Sequence, residues 1–325
     1  MPATPNTVVL PQTPAENHTE SAPASAEPAQ TTPETNAFHL EYEQTALPEP
    51  LSSVTALAML EKTLLLGGVS ETGLALVRLT PEGRSEELPL PGSTEYLYAL
   101  CLDGAGGAWL LCGSLPKGYF DAFGNFRFLS QEPEGKLALA HYDAAFALQE
   151  IVLLQTLYTD RFFQLRRLDG GFCMMSASLL VRLDETGVET ARQSLDAKDG
   201  WSFAAMQETD GVLYALTRNF YGIELPELRK FTPDTLSALE SDVCTSEITG
   251  LGLRADGRLL MGNSEELFAY DTGSGETETL VRWQEIGANV LTEQPWELED
   301  GYLLFSPGDT CLLYTSPSPR DLSTS

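Results

Sequence analysis

Basic residues are scarce in this sequence. Lys and Arg together number 19 against 47 Asp and Glu, which gives a formal net charge of −28 over 325 residues. A surface that binds nucleic acid needs clustered Lys and Arg to neutralise phosphates, and the sequence has no such cluster. We therefore expect no nucleic-acid partner, and acidity by itself names no other partner.

Histidine is even scarcer, with only His18, His39 and His141 in the chain. So few histidines exclude a His-based catalytic triad and a His-rich metal site. The five cysteines show no CxxC spacing, which argues against a disulfide framework or a zinc site. They are Cys101, Cys112, Cys173, Cys244 and Cys311. We expect buried thiols, with no metal ion and no cofactor.

Long apolar runs are also missing. No stretch approaches the roughly 18 apolar residues of a membrane span, and no signal peptide follows Met1. Residues 1–50 hold nine of the 20 prolines and almost no aliphatic periodicity. This composition predicts a disordered Pro/Thr/Ala-rich linker over residues 1–37, with order beginning at Phe38.

The stretch from Glu247 to Trp283 holds four short strand patterns in a row. Each alternates between apolar and polar positions and ends in a turn, such as Asp256-Gly257 or Asn263-Ser264. Period-two patterning bounded by such turns is typical of β-hairpins. Four hairpin-linked strands in so short a stretch predict a propeller blade or a sandwich meander.

Recurrence along the chain favours the propeller. Asp-Gly pairs follow a first strand pattern at positions 103, 169, 210, 256 and 300, so successive spacings are 66, 41, 46 and 44 residues. Propeller blades repeat every ~40–50 residues. The fold class is therefore all-β, a propeller of four-stranded antiparallel blades, with about five blades and part of a sixth. Residues 144–155 allow a helix by propensity, but Ile151 and Val152 favour the fourth strand of blade two.

In such a meander the turns alternate between the two faces of the disc. One face holds the second-to-third turns and the inter-blade connections, and we call it the aromatic face. The opposite face, with the first-to-second and third-to-fourth turns, is the Asp-Gly face. The aromatic face carries six candidate binding residues, Tyr119, Phe120, Trp201, Phe220, Tyr221 and Trp283. Aromatic rings on loops above a rigid scaffold are typical of sugar-binding and peptide-binding surfaces, although such rings also cap blade interfaces.

No catalytic residue stands out. Most carboxylates fall in predicted turns, so a glycan-acting hydrolase with two carboxyl groups ~5–10 Å apart is only the alternative function. Ser194 to Trp201 resembles the Asp-box of sialidase-type propellers, S-x-D-x-G-x-x-W, with Lys198 in place of its glycine. A structural turn is the expectation there.

The segment from Leu267 to Trp283 resembles the blades of a propeller-like region in bacterial extracellular solute-binding lipoproteins of ABC transporters. The likeness covers residues 38–306, and the Pro/Thr-rich linker is similar to the segment after the lipidated cysteine in that group. Neither that cysteine nor the solute-binding domain of the group is in this sequence. The resemblance transfers no catalytic or binding residues.

This resemblance implies a non-catalytic binding or scaffolding propeller of a bacterial cell-surface lipoprotein, accessory to ABC-transporter solute uptake. The expected location is extracellular, and the expected ligand is a small molecule, a glycan or a peptide. A permease would be contacted through a further C-terminal domain. A WD-repeat scaffold is disfavoured because the Gly-His and Trp-Asp signatures are absent.

The strand patterns stop at Pro307-Gly308-Asp309-Thr310. Residues 311–321 resemble the translation of a transposon-end sequencing adapter, which predicts a non-native tail over 311–325. The propeller would then span residues 38–310 with an incomplete ring. In that case the strand from Phe38 to Tyr42 lacks a partner in the last blade, and exposed strand edges favour aggregation.

Overall fold

Antiparallel β-strands make up nearly all the regular structure of the computed structural model. It describes residues 41–45, 48–60, 63–80, 83–92, 94–114, 118–120, 126–128, 136–156, 158, 160–195, 200–219, 221–222, 224–244, 246–254, 256–282, 284, 297–299, 302–305 and 311–315. Only the backbone is described for 41–45, 59, 118–120, 126–128, 243, 281, 297–299, 302–305 and 311–315.

The first strand, Glu41–Thr45 (β1), precedes five four-stranded antiparallel blades. Blade one comprises Leu51–Leu60 (β2), Thr63–Ser70 (β3), Gly73–Leu79 (β4) and Ser85–Leu88 (β5). Blade two comprises Tyr96–Leu102 (β6), Ala108–Gly113 (β7), an inserted hairpin of Gly118–Phe120 (β8) and Phe126–Phe128 (β9), then Leu137–Tyr142 (β10) and Leu148–Leu153 (β11). Strand β11 confirms that the 144–155 region ends as a strand.

The next three blades follow the same order. Blade three comprises Phe162–Leu168 (β12), Gly171–Ser176 (β13), Leu179–Asp184 (β14) and Glu189–Ser194 (β15). Blade four comprises Trp201–Thr209 (β16), Val212–Asn219 (β17), Glu227–Phe231 (β18) and Asp242–Val243 (β19). Blade five comprises Gly250–Leu253 (β20), Leu259–Gly262 (β21), Glu266–Tyr270 (β22) and Thr277–Arg282 (β23). The predicted all-β propeller is thus confirmed.

Short side chains close the turns on the Asp-Gly face. In blade three, Asp184 Oδ1 accepts hydrogen bonds from the backbone N–H of Thr186 (2.9 Å) and Val188 (3.0 Å). Asp143 and Asp271 accept comparable bonds in blades two and five. An Asp that binds amides two to four residues ahead imitates a backbone turn, so these residues set where each third strand ends.

Apolar side chains pack between neighbouring blades. Between blades two and three the Trp109 and Phe172 rings meet edge-on, with centroids 4.8 Å apart, inside a cluster that includes Leu165. Further buried clusters join blades one and two, three and four, and four and five. Because burying one large apolar side chain contributes about 1.5–3 kcal/mol, this packing fixes the order of blades around the ring.

A sixth four-stranded sheet contains Glu297–Glu299 (β24), Tyr302–Phe305 (β25), Cys311–Thr315 (β26) and β1. Strands β1 and β26 pair antiparallel, and β24 contacts both β20 and β2, so the inner strands form a closed ring. This corrects the expectation that the strand from Phe38 to Tyr42 has no partner and the ring stays open, since Glu41 and Tyr42 pair with β26, while residues 38–40 lie outside the described residues. Strand pairing needs only backbone groups and β-prone residues, and Cys311–Thr315 supplies both. The pairing of β26 with β1 does not test whether residues 311–325 come from a sequencing adapter, so that origin stays a prediction.

Candidate binding face

Two of the six predicted binding residues, Trp201 and Tyr221, have described side chains. Phe220 and Trp283 lie outside the described residues. For Tyr119 and Phe120 the structure describes only the backbone, in strand β8. The geometry of the candidate site therefore comes from blade four.

Trp201 begins β16 at the aromatic face and is half-buried. The guanidinium carbon of Arg229, on β18, lies 5.6 Å from the centroid of its indole. Arg229 Nε also donates to Glu227 Oε2 at 3.0 Å. A cation over an indole contributes about 0.5–1 kcal/mol at an exposed site, and the ion pair restrains the same guanidinium. Indole and guanidinium therefore form one preorganised amphipathic surface.

Tyr221 lies in the turn after β17, and 66% of it is exposed. Its backbone N–H donates to Asn219 Oδ1 at 3.0 Å, and the N–H of Gly222 donates to the Asn219 carbonyl at 3.0 Å. Its ring lies against Gly200, where an added Cβ would come within 2.5 Å of two ring carbons. Gly200 also has a φ of +73°, a left-handed conformation that favours glycine.

Gly200 and Asn219 bring Tyr221 and Trp201 to the same edge of blade four. Gly200 directly precedes Trp201, and Asn219 is the register partner of Trp201 across β16 and β17. The connection that resembles an Asp-box runs between Ser194, which ends β15, and Trp201, although residues 196–199 lie outside the described part. The binding role of both rings stays a prediction.

A second group of side chains, which the sequence did not single out, lies where blades two and three meet on the aromatic face. The Arg161 guanidinium carbon is 5.2 Å from the Tyr96 ring centroid, and Tyr96 meets Tyr98 edge-on at 4.9 Å. The Tyr98 hydroxyl donates to the Ser114 carbonyl at 2.9 Å, and the Lys136 N–H donates to Ser114 Oγ at 3.0 Å. We call these five residues the blade-two rim.

The blade-two rim frames the insertion that carries Tyr119 and Phe120, because the chain leaves the sheet after Ser114 and returns at Lys136. Burial raises the pKa of Tyr98 to about 12, so its hydroxyl stays protonated and keeps its hydrogen bond at neutral pH. No sequence motif marks the rim. In the sequence, the only indication of the blade-two rim is that aromatic and basic residues occur where strand patterns begin.

Six carboxyl groups in the described residues have a lowered pKa, which does not suit them to act as the acid in catalysis. A glycosidase needs one carboxyl group whose pKa is raised. Among the described residues, every carboxyl group with a clear pKa shift has its pKa lowered. These are Asp103, Asp184, Glu189, Asp256, Asp271 and Glu278. All six accept hydrogen bonds from arginine, histidine or backbone donors, which stabilise the charged form.

His141 is the one histidine with a described side chain, and it lies on the Asp-Gly face. Its Nε2 is 3.0 Å from Asp103 Oδ2, and its ring stacks on Trp109 with centroids 4.4 Å apart. Burial alone would raise the pKa of Asp103, but hydrogen bonds from His141 and from backbone amides lower it on balance. The pair ties β10 to the turn after β6, away from the candidate binding residues.

The four cysteines with described side chains are buried and form no disulfide with one another. Burial raises the pKa of Cys173 and Cys244 to about 12, so both thiols stay protonated and unreactive. Within the described ranges, no three His, Cys, Asp or Glu side chains come together as metal ligands. In the same part of the chain, no helix has the length and apolar character needed to cross a membrane.

Sequence comparisons identify no relative: no family model matches the chain, and no curated protein matches it. Solved structures do resemble it. Virginiamycin B lyase from Staphylococcus aureus is 10% identical, with a TM-score of 0.50 over 86% of this chain and 100% of that one. The soluble aldose sugar dehydrogenase from Escherichia coli is 12% identical, with a TM-score of 0.50 over the same shares.

The WD40 β-propeller domain of Doa1 is 10% identical, with a TM-score of 0.46 over 88% of this chain and 100% of that domain. At these identities the likeness shows the propeller fold alone. Virginiamycin B lyase and the sugar dehydrogenase are enzymes, but they share only the fold with this chain, and a fold by itself does not decide function.

Proposed function

We propose that this propeller is a non-catalytic binding module whose aromatic face recognises a glycan or a peptide. The observation that carries the proposal is the exposed Tyr221 ring, held against Gly200 beside the Trp201–Arg229 surface. Rings that are fixed before binding lose little conformational entropy when a ligand stacks on them. The six carboxyl groups with a lowered pKa are unsuited to act as the acid of the alternative, a glycan-acting hydrolase.

The cell-surface setting of the proposal is supported by the sequence resemblance to solute-binding lipoproteins. In that setting the propeller is extracellular, holds its ligand near an ABC permease and acts as an accessory to uptake. Surface biotinylation of cells that express this protein from its own gene checks the location. Labelling only after cell lysis would contradict it.

Alanine substitution of Trp201 and Tyr221 tests the binding role. In titrations against a panel of glycans and peptides, we expect each variant to weaken binding at least about tenfold, since an aromatic anchor contributes about 2 kcal/mol or more. The matched control is Leu239→Ala, which truncates a side chain that is 43% exposed in the same blade, within the turn on the Asp-Gly face.

All variants should keep a cooperative thermal transition, which would show that the loss of binding does not result from unfolding. Binding that survives both aromatic substitutions, or that is lost equally in Leu239→Ala, would contradict the assignment of the face. Turnover of chromogenic glycosides by the unmodified protein would favour the hydrolase.

A further inference from the structure

We propose that the ligand of the aromatic face is an acidic glycan, and that Arg161 and Lys136 of the blade-two rim bind its anionic groups. This inference rests on the proposed function and adds the chemical class of the ligand. Its basis is the set of cations in this acidic chain that remain without a carboxylate partner.

Most described cations are already neutralised. Arginines and a lysine in blades one, three, four and five form ion pairs with Asp or Glu at 2.6–3.9 Å. Arg161 and Lys136 are exposed, and neither has a carboxylate partner among the described residues. Arg84 on the Asp-Gly face shares this state, but Arg161 and Lys136 both belong to the blade-two rim on the aromatic face, where an anionic group of the ligand would supply their counter-ion.

The structure also restrains the Arg161 guanidinium and the Lys136 backbone before binding. The Arg161 guanidinium lies over the Tyr96 ring, and stacking of this kind uses its face while its N–H donors stay in the plane. The backbone of Lys136 is fixed by two bonds to Ser114, since the Lys136 carbonyl also accepts the Ser114 N–H at 3.2 Å. A planar carboxylate or a sulfate is the group that such a fork binds best.

Two carboxylates lie near the rim and limit its positive charge. Asp160 accepts hydrogen bonds from the hydroxyls of Ser176 and Ser178, so it is already engaged. Glu95 is exposed, and its charge helps to raise the pKa of Tyr98. The charge of Arg161 lowers the pKa of Tyr98, so both charges act on the same ring. Glu95 should therefore weaken anion binding. Removing its charge should strengthen binding, whereas removing the charge of Arg161 or Lys136 should weaken it.

An acidic glycan fits these features better than other polyanions. Sugar rings stack on Tyr and Trp side chains, which blade four provides, while their carboxylate or sulfate groups project from the ring edge toward a neighbouring cation. The rim supplies two cations, far fewer than the phosphate contacts that nucleic-acid binding requires.

The experiment is a calorimetric titration of the full chain with polygalacturonate oligomers and with the same oligomers after methyl esterification. Hyaluronan and heparin serve as further acidic probes, and xylan oligomers serve as a neutral one. We expect the acidic probes to bind best, and Arg161→Gln and Lys136→Gln each to weaken their binding about tenfold, which corresponds to about 1.4 kcal/mol. Glu95→Gln should tighten binding. The matched control, Arg84→Gln, changes an exposed arginine on the Asp-Gly face and should have no effect.

The outcomes separate this inference from the proposed function. If the neutral or esterified oligomers bind and depend on Trp201 but not on Arg161, the acidic class is overturned and the binding face survives. Binding of poly-glutamate with no acidic glycan bound would also overturn the class. If no glycan shows binding that depends on Trp201 or Tyr221, the acidic glycan is overturned, and the binding face itself fails only if the peptides of the panel do not bind either.

Discussion

Gly200 is the residue on which the geometry of the candidate site depends most. It has a φ of +73° and leaves space for the Tyr221 ring, where a Cβ would come within 2.5 Å of ring carbons. A larger residue there must adopt a costly left-handed backbone and must also displace the ring. At the scale of single residues, the position of the Tyr221 ring on the aromatic face therefore depends on Gly200, which has no side chain.

Substitution of Gly200 by alanine should weaken binding more than it weakens folding. We expect a loss of about 1–2 kcal/mol of unfolding free energy for the left-handed backbone, with a further loss of affinity because the Tyr221 ring moves. Gly211→Ala is the matched control, since Gly211 has a φ of +71° with nothing within 4 Å of the added Cβ. Chemical denaturation and ligand titration of both variants give the two quantities. Equal affinities in the two variants would show that Tyr221 does not need the space at Gly200.

Single-residue contacts were the least predictable part of the site. The aromatic residues were visible in the sequence because rings in turn segments stand out against polar neighbours. The position of Arg229 over Trp201 was not visible, since it depends on the register of three strands and on the twist between them. The Asp103–His141 pair joins residues 38 positions apart for the same reason.

Among the secondary-structure elements, the turns carried most of the sequence signal. Asp-Gly pairs at Asp169, Asp210 and Asp256 join first to second strands as predicted. A second pattern also marks strand ends: a large apolar residue followed by Asp or Thr ends the third strand, as in Leu183-Asp184 and Tyr270-Asp271. The ends of strands were predictable because turn chemistry is local, whereas the pairing of distant segments is not.

The turn after β14 should make folding stability depend on pH. Hydrogen bonds from the Val188 amide and the Thr186 hydroxyl lower the pKa of the Asp184 carboxyl in the folded state. A lowered pKa gives stability that is present at neutral pH and is lost as the pH falls below the ordinary aspartate pKa of about 3.9 toward the folded value. Asp184→Asn should therefore unfold at lower urea concentration at pH 7, with a difference that narrows toward pH 3.

The control for this prediction is Asp234→Asn, which removes an exposed carboxylate in the turn before β19. Its unfolding midpoint should follow that of the unmodified chain at every pH. A constant difference between Asp184→Asn and the unmodified chain from pH 7 to pH 3 would mean that the Asp184 charge does not stabilise the turn.

The molecule as a whole is a ring of blades with two chemically different faces. Five blades were predictable because each repeats the same strand and turn pattern. The sixth sheet was only partly predictable, because it joins β1 to β26, and no local pattern reveals a pairing between segments so far apart in sequence. In the sixth sheet, β24 contacts both β20 and β2, so every blade packs against two neighbours.

The division of the molecule into two faces can be tested by hydrogen exchange of the full chain with and without its best-binding glycan. We predict slower exchange, on ligand addition, in residues 94–98, 160–163, 200–203, 218–219 and 221–222 of the aromatic face. Segments 103–107, 184–188 and 271–276 of the Asp-Gly face should be unchanged. Protection confined to the Asp-Gly face, or spread evenly over both faces, would contradict the claim that this propeller binds through its aromatic face.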